Sequence, residues 1–353
     1  MTQRKRNQHD TLFPYPRYSD NRLYACADSP LRGRHEELYS SFHSADCLLY
    51  LRQEFNMTND ELLQERLDKV RNVISTHGER NFYVAFSGGK DSTILSDLID
   101  VALPGNKIPR VFFNTGIEYP QTRQFVLELG RNDPRITFVL SKVNIRQVLE
   151  EHGYPFKSKE HSHKLEVFRE KGIWQREVER YLNDRESLYR CPTSLLFQFT
   201  DDYPLKISDK CCDYLKKKPA DDYSKESGRT IHITGIRRAE KGRRNRAQCT
   251  VFQSSTGKLK AFNPLNICPD EWMDWYVERM GLRLCDLYYP PFNFKRTGCM
   301  GCPFALNLQE ELDVLEREAP RSYLACENIW KPVYDEYRRL GYRLRKQEVD
   351  ENA

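Results

Sequence analysis

Two groups of residues in this chain have the types and spacing that chemistry requires. The first, Ser87-Gly88-Gly89-Lys90-Asp91-Ser92, follows a short apolar run and precedes a segment of helical spacing. Glycines let a ligand approach the backbone, and the free N–H groups at a helix start favour phosphate or sulfate. Lys90 and the hydroxyls of Ser87 and Ser92 can bind the same oxygens, while Asp91 orients the loop or binds Mg²⁺. The segment therefore predicts an anion pocket, and we expect Gly88→Val to block it without unfolding the protein.

The second group is a set of cysteines. Cys211 and Cys212 are adjacent, and Cys299 and Cys302 form a CxxC pair between glycines. A CxxC loop turns two thiolates towards one centre, and zinc, iron–sulfur and dithiol redox sites all use it. Adjacent cysteines strain the chelation of one small ion, so the four thiols together favour an iron–sulfur cluster over zinc.

A third feature is the basic segment 237–246, which contains six cations and one acid. Two uses are open for it. Its arginines, including Arg237, Arg238 and Arg244, could stabilise the charge that develops on a leaving pyrophosphate. They could equally bind the backbone of a nucleic acid, which the modest net charge of +5 allows without requiring.

The elements that must position these residues alternate along the chain. The hydrophobic pattern predicts strands over 82–86, 110–114, 136–140 and 231–235, and helices over 59–74, 92–102, 120–131, 144–152, 165–185 and 306–340. Such alternation is typical of a parallel α/β sheet, in which ligands bind at the carboxyl ends of the strands. Asn114, Thr115, Gly116 and Gly235 fall at such ends, beside the glycine loop.

These segments, in this order, resemble the phosphoadenylyl-sulfate and adenylyl-sulfate reductase family, in its iron–sulfur branch. The similar stretches are the glycine loop, 112–122, 211–219, 233–246 and 263–275, so the resemblance covers roughly residues 60–310. Asn114 and Gln121 stand where that family has acids. The resemblance implies the pyrophosphate-loop superfamily, a Rossmann-like parallel sheet flanked by helices, ATP or another adenine nucleotide, and a [4Fe-4S] cluster. The same resemblance implies three sets of site residues. The expected nucleotide contacts are Ser87, Gly88, Gly89, Lys90, Asp91, Ser92, Asn114, Thr115, Gly116, Gly235 and Arg244. The expected catalytic residues are Lys90, Asp91, Arg237 and Arg238, and the expected cluster ligands are Cys211, Cys212, Cys299 and Cys302.

One departure from the family concerns the reaction. The reductases carry a catalytic cysteine in a Glu-Cys-Gly motif near the C-terminus, and residues 343–353 contain none. Cys326 lies among apolar residues of a helix, where we expect an inert thiol. Cys191 follows Arg190, which could favour its thiolate. We therefore expect an ATP pyrophosphatase-type sulfur-transfer enzyme, with sulfonucleotide reduction and an inactive nucleotide-binding regulator as alternatives, and a charged tail that is dispensable.

The remaining expectations concern organisation and partners. We predict an N-terminal arm over 1–58, a nucleotide-binding domain over 59–265 with an irregular insertion at 154–230, and a helical region over 266–353. Possible partners are a sulfur donor such as a cysteine desulfurase and a nucleic acid, DNA or tRNA. No long apolar stretch suggests a membrane segment, so a cytoplasmic protein is expected. His161 and His163 lie two apart in the insertion, with no third metal ligand apparent in the sequence.

Overall fold

The described residues are 57–346 of a computed structural model, except 185, 186, 188, 189 and 241 and the side chains of 242 and 243. The predicted N-terminal arm, with Cys26 and Cys47, lies outside them, apart from its last two residues. Strands and helices are numbered below along the described chain.

A six-stranded sheet forms the centre, in the order β3-β2-β1-β4-β6-β5. Its strands are β1 (Phe82–Ala85), β2 (Arg110–Asn114), β3 (Ile136–Leu140), β4 (Ile231–Ile233), β5 (Thr250–Phe252) and β6 (Leu259–Phe262). All neighbours pair in parallel except β5 and β6, which are antiparallel. The α/β fold is as predicted, but the sheet is mixed because the unpredicted β5–β6 hairpin adds an antiparallel edge.

Helices pack around the sheet. They are α1 (Asn59–His77), α2 (Lys90–Ala102), α3 (Pro120–Asn132), α4 (Ile145–His152), α5 (Lys159–Lys171), α6 (Arg176–Asn183), α7 (Lys218–Ser227), α8 (Asp270–Met280), α9 (Leu308–Glu318) and α10 (Pro320–Leu340). A single α-helical turn, Lys210–Cys212, and a π-helix, Asp213–Lys217, run directly into α7. The sequence-based boundaries of α2, α3 and α4 agree with these to within two residues.

The core fixes the glycine loop in space. Phe82 and Val84 of β1 are fully buried, as are Ile94 and Leu98 of α2. Fully burying one such side chain contributes about 1.5–3 kcal/mol, so the strand before the loop and the helix after it are both held firmly. The loop therefore has a rigid support on each side.

The insertion differs most from its prediction. Residues 154–230 were expected to be irregular, but they contain α5, α6, the helical turn, the π-helix and α7. His161 and His163 lie on α5 rather than in a loop. The expected helix over 165–185 is divided at Gly172, whose φ of 80° ends α5.

Candidate functional site

The glycine loop connects β1 to α2 and is organised by its own serines. Ser92 Oγ accepts a hydrogen bond from Ser87 N at 3.2 Å and donates to the Gly89 carbonyl at 2.9 Å. The two serine hydroxyls are 3.1 Å apart. Gly88 has a φ of 72°, which turns the backbone into the helix start. Ser92 therefore closes the loop from inside, while Ser87 stays exposed at its mouth.

The two glycines face different neighbours. A Cβ on Gly88 would lie 2.7 Å from Val126 Cγ2, so Gly88 is packed against α3. A Cβ on Gly89 would lie 2.9 Å from Thr297 Oγ1 and 3.2 Å from the Tyr288 hydroxyl. The expectation that valine at 88 would block the pocket without unfolding the protein is therefore wrong, because the added carbons would meet the core and not a bound phosphate.

Two residues beside the loop were missed from the sequence. Tyr288 and Thr297 hydrogen-bond to each other at 3.0 Å, and Lys90 N donates to the Tyr288 hydroxyl at 2.8 Å. Tyr288 thus occupies one of the N–H groups that a helix start offers to an anion. No local pattern identifies these residues, since they approach the loop from about 200 positions along the chain.

Lys90 is paired outside the loop. Its Nζ contacts Asp274 Oδ1 of α8 at 2.8 Å, and the Asp274 side chain is 66% exposed. An exposed pair of this kind is weak, so the ammonium remains available to a ligand of higher charge.

Asp91 and Arg237 form a buried ion pair behind the loop. Arg237 Nε lies 3.3 Å from Asp91 Oδ2, and its Nη2 lies 2.7 Å from Asp270 Oδ1. Burial raises the pKa of Asp91, while Arg237 opposes that rise. A Cβ on Gly235 would come within 3.1 Å of the Asp91 backbone, so the segment after β4 packs closely against the start of α2. Arg237 is only 2% exposed, and its geometry is that of a residue that positions Asp91 rather than one that meets a ligand.

The other arginines gather around a single carboxylate. Glu240 contacts Arg244 and, at 3.1 Å, Arg296 Nη2, and both guanidinium groups are more than half exposed. Arg238 instead donates from Nε to the Ala247 carbonyl at 2.9 Å. Arg244 and Arg296 therefore present exposed guanidinium groups around Glu240, and Arg296 was not predicted.

The loop after β2 is closed upon itself. Glu118 accepts hydrogen bonds from Thr115 N at 2.9 Å and from the Thr115 hydroxyl at 2.6 Å, and Asn114 Oδ1 accepts from Gly116 N at 2.9 Å. Thr115 is buried, whereas Gly116 is exposed. These residues lie at the carboxyl edge of the sheet, as predicted, and Glu118 is the organising residue that the sequence did not single out.

The four predicted ligand cysteines come together from two distant segments. Cys211 and Cys212 form the end of the helical turn before the π-helix, and Cys299 and Cys302 lie in the loop before α9. The pKa of Cys211 is raised by its hydrogen bond with Cys212, by burial and by the charges of the other three thiols, while the same hydrogen bond lowers the pKa of Cys212 to about 6. Burial, with Cys299, raises the pKa of Cys302 to about 12.

The four thiols are spaced more widely than a single tetrahedral ion would hold them. Across the described part of the chain, no three of their sulfurs lie within 4.8 Å of one another. A tetrahedral zinc with bonds of about 2.3 Å would hold them closer than that, whereas a cubane distributes four thiolates over four irons. Lys216, next to Cys299, and Lys159, next to Cys212, supply positive charge for an anionic centre.

The CxxC loop is held by the last helix. Trp330 Nε1 donates to the Met300 carbonyl at 3.0 Å, Tyr334 donates to the Gly301 carbonyl, and Tyr337 donates to the Pro303 carbonyl at 2.8 Å. On the opposite side, Met300 N donates to the Ile117 carbonyl at 2.8 Å. The loop is thus fixed between α10 and the loop after β2.

Arg343 and Leu344 extend this support. Arg343 donates to the Pro303 and Ala305 carbonyls at 2.8 and 2.7 Å, and Leu344 is 3% exposed. The expectation that the tail from residue 343 has no apolar group to bury is therefore wrong, because Leu344 is buried and Arg343 binds two carbonyls that follow the CxxC pair.

The remaining thiols in the described residues do not resemble nucleophiles. Cys326 is fully buried, and burial raises its pKa to about 12, as the sequence suggested. Cys191 is 4% exposed, and burial raises its pKa to about 11 despite nearby Lys157. The idea that Arg190 activates Cys191 receives no support from this environment, since the thiolate is the reactive form.

Comparison with known proteins agrees with this geometry. The phosphoadenosine phosphosulfate reductase domain family matches residues 81–171 and 167–305, which include the glycine loop and all four cysteines. The chain belongs to this family. A protein of Methanocaldococcus jannaschii described as uncharacterized is 23% identical over 268 residues, covering 73% of this chain and 51% of that protein. The chain thus spans about half the length of the curated relative that it matches.

Several solved structures are similar to this family member at low identity. A phosphoadenylyl-sulfate reductase from Candida auris is 17% identical, with a TM-score of 0.39 over 72% of this chain and 95% of that one. A U34-tRNA thiolase from Methanococcus maripaludis with its [4Fe-4S] cluster is 15% identical, with a TM-score of 0.33 over 78% and 80%. TM-scores this low support no argument about function.

In its described residues, the family member has no helix that combines the length and the apolar character needed to cross a membrane.

Proposed function

We propose that this chain is an ATP pyrophosphatase-type sulfur-transfer enzyme that carries a [4Fe-4S] cluster and modifies a nucleic acid. Membership in the phosphoadenosine phosphosulfate reductase domain family supports the coarser role, a nucleotide-using enzyme of sulfur transfer or reduction. The finer assignment depends on which thiols are available to react.

The proposed nucleotide contacts begin at the glycine loop. Ser87, Gly89 and the start of α2 would bind the phosphates of ATP or another adenine nucleotide, and Lys90 would leave Asp274 to join them. Asp91, held by Arg237, would orient the loop or bind Mg²⁺. Arg244, with Arg238 beside it, would stabilise charge on the leaving pyrophosphate. Asn114, Thr115, Gly116 and Gly235 would complete the pocket at the neighbouring strand ends.

The proposed reaction has two group transfers. An oxygen of the acceptor attacks the α-phosphorus of ATP, a phosphorus–oxygen bond forms, and pyrophosphate leaves. The terminal sulfur of a donor such as a cysteine desulfurase persulfide then attacks the adenylated acceptor, so that the acceptor–sulfur bond forms and the acceptor–oxygen bond to AMP breaks. A thiol reductant cleaves the remaining sulfur–sulfur bond to the donor, which leaves the thiolated acceptor and a disulfide. Cys211, Cys212, Cys299 and Cys302 would hold the cluster, which would bind sulfur or position the acceptor through its charge. Lys159 and Lys216 would balance that charge.

The observation that carries this proposal is the burial of Cys191 and Cys326. Sulfonucleotide reduction needs a thiolate that attacks sulfate, and in the described residues each thiol outside the four-cysteine group is either buried or, like Cys249, raised in pKa by burial. The reductase alternative would therefore need a thiol from outside the described residues, either Cys26 or Cys47 of this chain or a thiol of a partner. The regulator alternative keeps nucleotide binding without turnover.

The test uses protein purified without oxygen. We expect ATP to yield AMP and pyrophosphate when an acceptor nucleic acid is present, and no sulfite from either sulfonucleotide with a thiol reductant. Sulfite release without AMP formation from ATP would favour the reductase. Tight nucleotide binding with neither product would favour the regulator. Cys299→Ser should abolish the sulfur transfer while leaving nucleotide binding, because the cysteine lies outside the glycine loop.

A further inference from the structure

Three potential metal ligands meet within the insertion, beside the helical turn that carries Cys211 and Cys212. His163 and Glu166 lie three residues apart on one face of α5, and Asp209 directly precedes the helical turn that carries Cys211. One ligand atom from each residue lies within 4.8 Å of the others. The sequence showed His163 but not its partners, because Asp209 is 46 positions away.

The distances suit one ion. Glu166 Oε2 and His163 Nδ1 are 4.0 Å apart, too far for a hydrogen bond. Two atoms that bind one ion at about 2.1 Å each can be up to about 4.2 Å apart, so this pair already brackets an ion. Asp209 offers a third ligand atom within 4.8 Å of the other two and would move closer when an ion binds.

The environment of Glu166 leaves one oxygen for a ligand. Its side chain is only 10% exposed, and Lys210 Nζ lies 3.4 Å from Oε1. Oε2 faces the imidazole of His163 instead. A cation placed between this oxygen and the imidazole would be bound by both, in a position where little of the carboxylate is exposed to water.

The other ring nitrogen of His163, Nε2, faces a carboxylate, which is a group that often orients metal-bound histidines. Glu177 Oε2 lies 3.6 Å from His163 Nε2, and Lys164 Nζ lies 2.5 Å from the same carboxylate. At 3.6 Å these two atoms are not hydrogen-bonded, but a closer approach of Glu177 on metal binding would let it accept the second ring N–H and direct the other nitrogen towards the metal. This arrangement is independent of the three-ligand group.

We propose that His163, Glu166 and Asp209 form a site for a divalent transition-metal ion such as Mn²⁺ or Zn²⁺. One imidazole and two carboxylates are ligands that both ions accept. The ion would connect α5 to the residue before the helical turn of Cys211 and so hold two parts of the insertion together. The site is separate from the glycine loop and from the four cysteines, and the inference does not depend on the proposed function.

The test measures Mn²⁺ binding to the full, cluster-loaded chain without nucleotide, from the loss of the free Mn²⁺ signal in electron paramagnetic resonance. Mn²⁺ is used because thiolates compete poorly for it. We expect one Mn²⁺ per chain that Zn²⁺ displaces. His163→Ala and Glu166→Gln should each abolish this binding, and Glu177→Gln should weaken it about 10- to 100-fold.

The matched control is Glu170→Gln, which removes an exposed carboxylate from the same helix and should leave binding unchanged. Wild-type protein that binds no Mn²⁺, or binding that survives both His163→Ala and Glu166→Gln, would overturn the proposal. Should either variant fail to fold, Asp209→Asn replaces it, and the same two outcomes apply.

Discussion

Gly88 offers the sharpest test of how the glycine loop is packed. In Gly88→Ala the residue must keep a φ of 72°, which costs an L-residue about 1–2 kcal/mol. The new Cβ would also lie 2.7 Å from Val126 Cγ2 and 3.1 Å from Thr122 Cγ2. Overpacking of this kind costs about 1–3 kcal/mol, so the free energy of unfolding should fall by about 2–5 kcal/mol.

Gly116→Ala is the matched control. Gly116 has a φ of 81°, and a Cβ there would meet nothing within 4 Å. Only the backbone strain of about 1–2 kcal/mol applies, and the effect of alanine on the unfolded chain is the same in both variants. The difference between the two variants, about 1–3 kcal/mol, isolates the contact of residue 88 with α3.

Urea unfolding under anaerobic conditions, followed by tryptophan fluorescence, measures both variants, and an unchanged denaturant slope would validate the comparison. The nucleotide affinity of folded Gly88→Ala should stay within a few-fold of wild type, because the methyl group faces α3. Equal loss of stability in the two variants would refute the packing argument. Lost nucleotide affinity in a Gly88→Ala protein of normal stability would restore the original view, in which this position faces the phosphates.

Three further predictions follow from contacts around the two sites. Asp274→Asn should raise the nucleotide affinity measured in equilibrium binding by up to about fivefold. Lys90 then no longer has to leave an exposed ion pair, which contributes about 0.2–1 kcal/mol. A lower affinity would contradict this prediction. Tyr334→Phe should reduce iron retention more than Tyr337→Phe, because the Pro303 carbonyl that Tyr337 binds keeps Arg343 as a donor; the reverse order would refute it. Burial raises the pKa of Glu311 from 4.5 to about 7, so the stabilising contribution of its protonated form is complete below pH 4.5 and is lost as the pH rises through 7. Glu311→Gln should therefore flatten the dependence of the unfolding free energy on pH in this range. An unchanged slope would count against this prediction.

The sequence predicted the parts of the fold that local patterns determine. The apolar run Phe82–Ala85 and the spacing of Ile94, Leu95 and Leu98 indicate a buried strand and an amphipathic helix without any tertiary information. The strand-end residues at the carboxyl edge followed from topology. The β5–β6 hairpin was missed because its strands are only three and four residues long and β5 is half exposed.

Side-chain partners of the loop were beyond prediction for a different reason. Tyr288, Thr297 and Asp274 reach the loop across roughly 180–210 positions of sequence. In the sequence they are ordinary polar residues of a helix and a turn. Arg237 illustrates the opposite problem. Its basic segment predicted a contact with a ligand, but Arg237 is buried and pairs with Asp91 and Asp270, so that it supports the glycine loop from behind.

The support of the CxxC loop explains why the region after the four cysteines matters to a site that it does not enter. A Cβ on Gly301 would lie 2.6 Å from Cys326 Sγ and from the Tyr334 hydroxyl, so the loop rests directly on α10. That contact requires glycine at 301, whose φ is 62°, and it requires Cys326 to remain a small buried thiol. Cys326 is therefore committed to packing behind the loop. A thiol held there cannot also swing towards a nucleotide, so Cys326 does not replace the C-terminal nucleophile of a reductase.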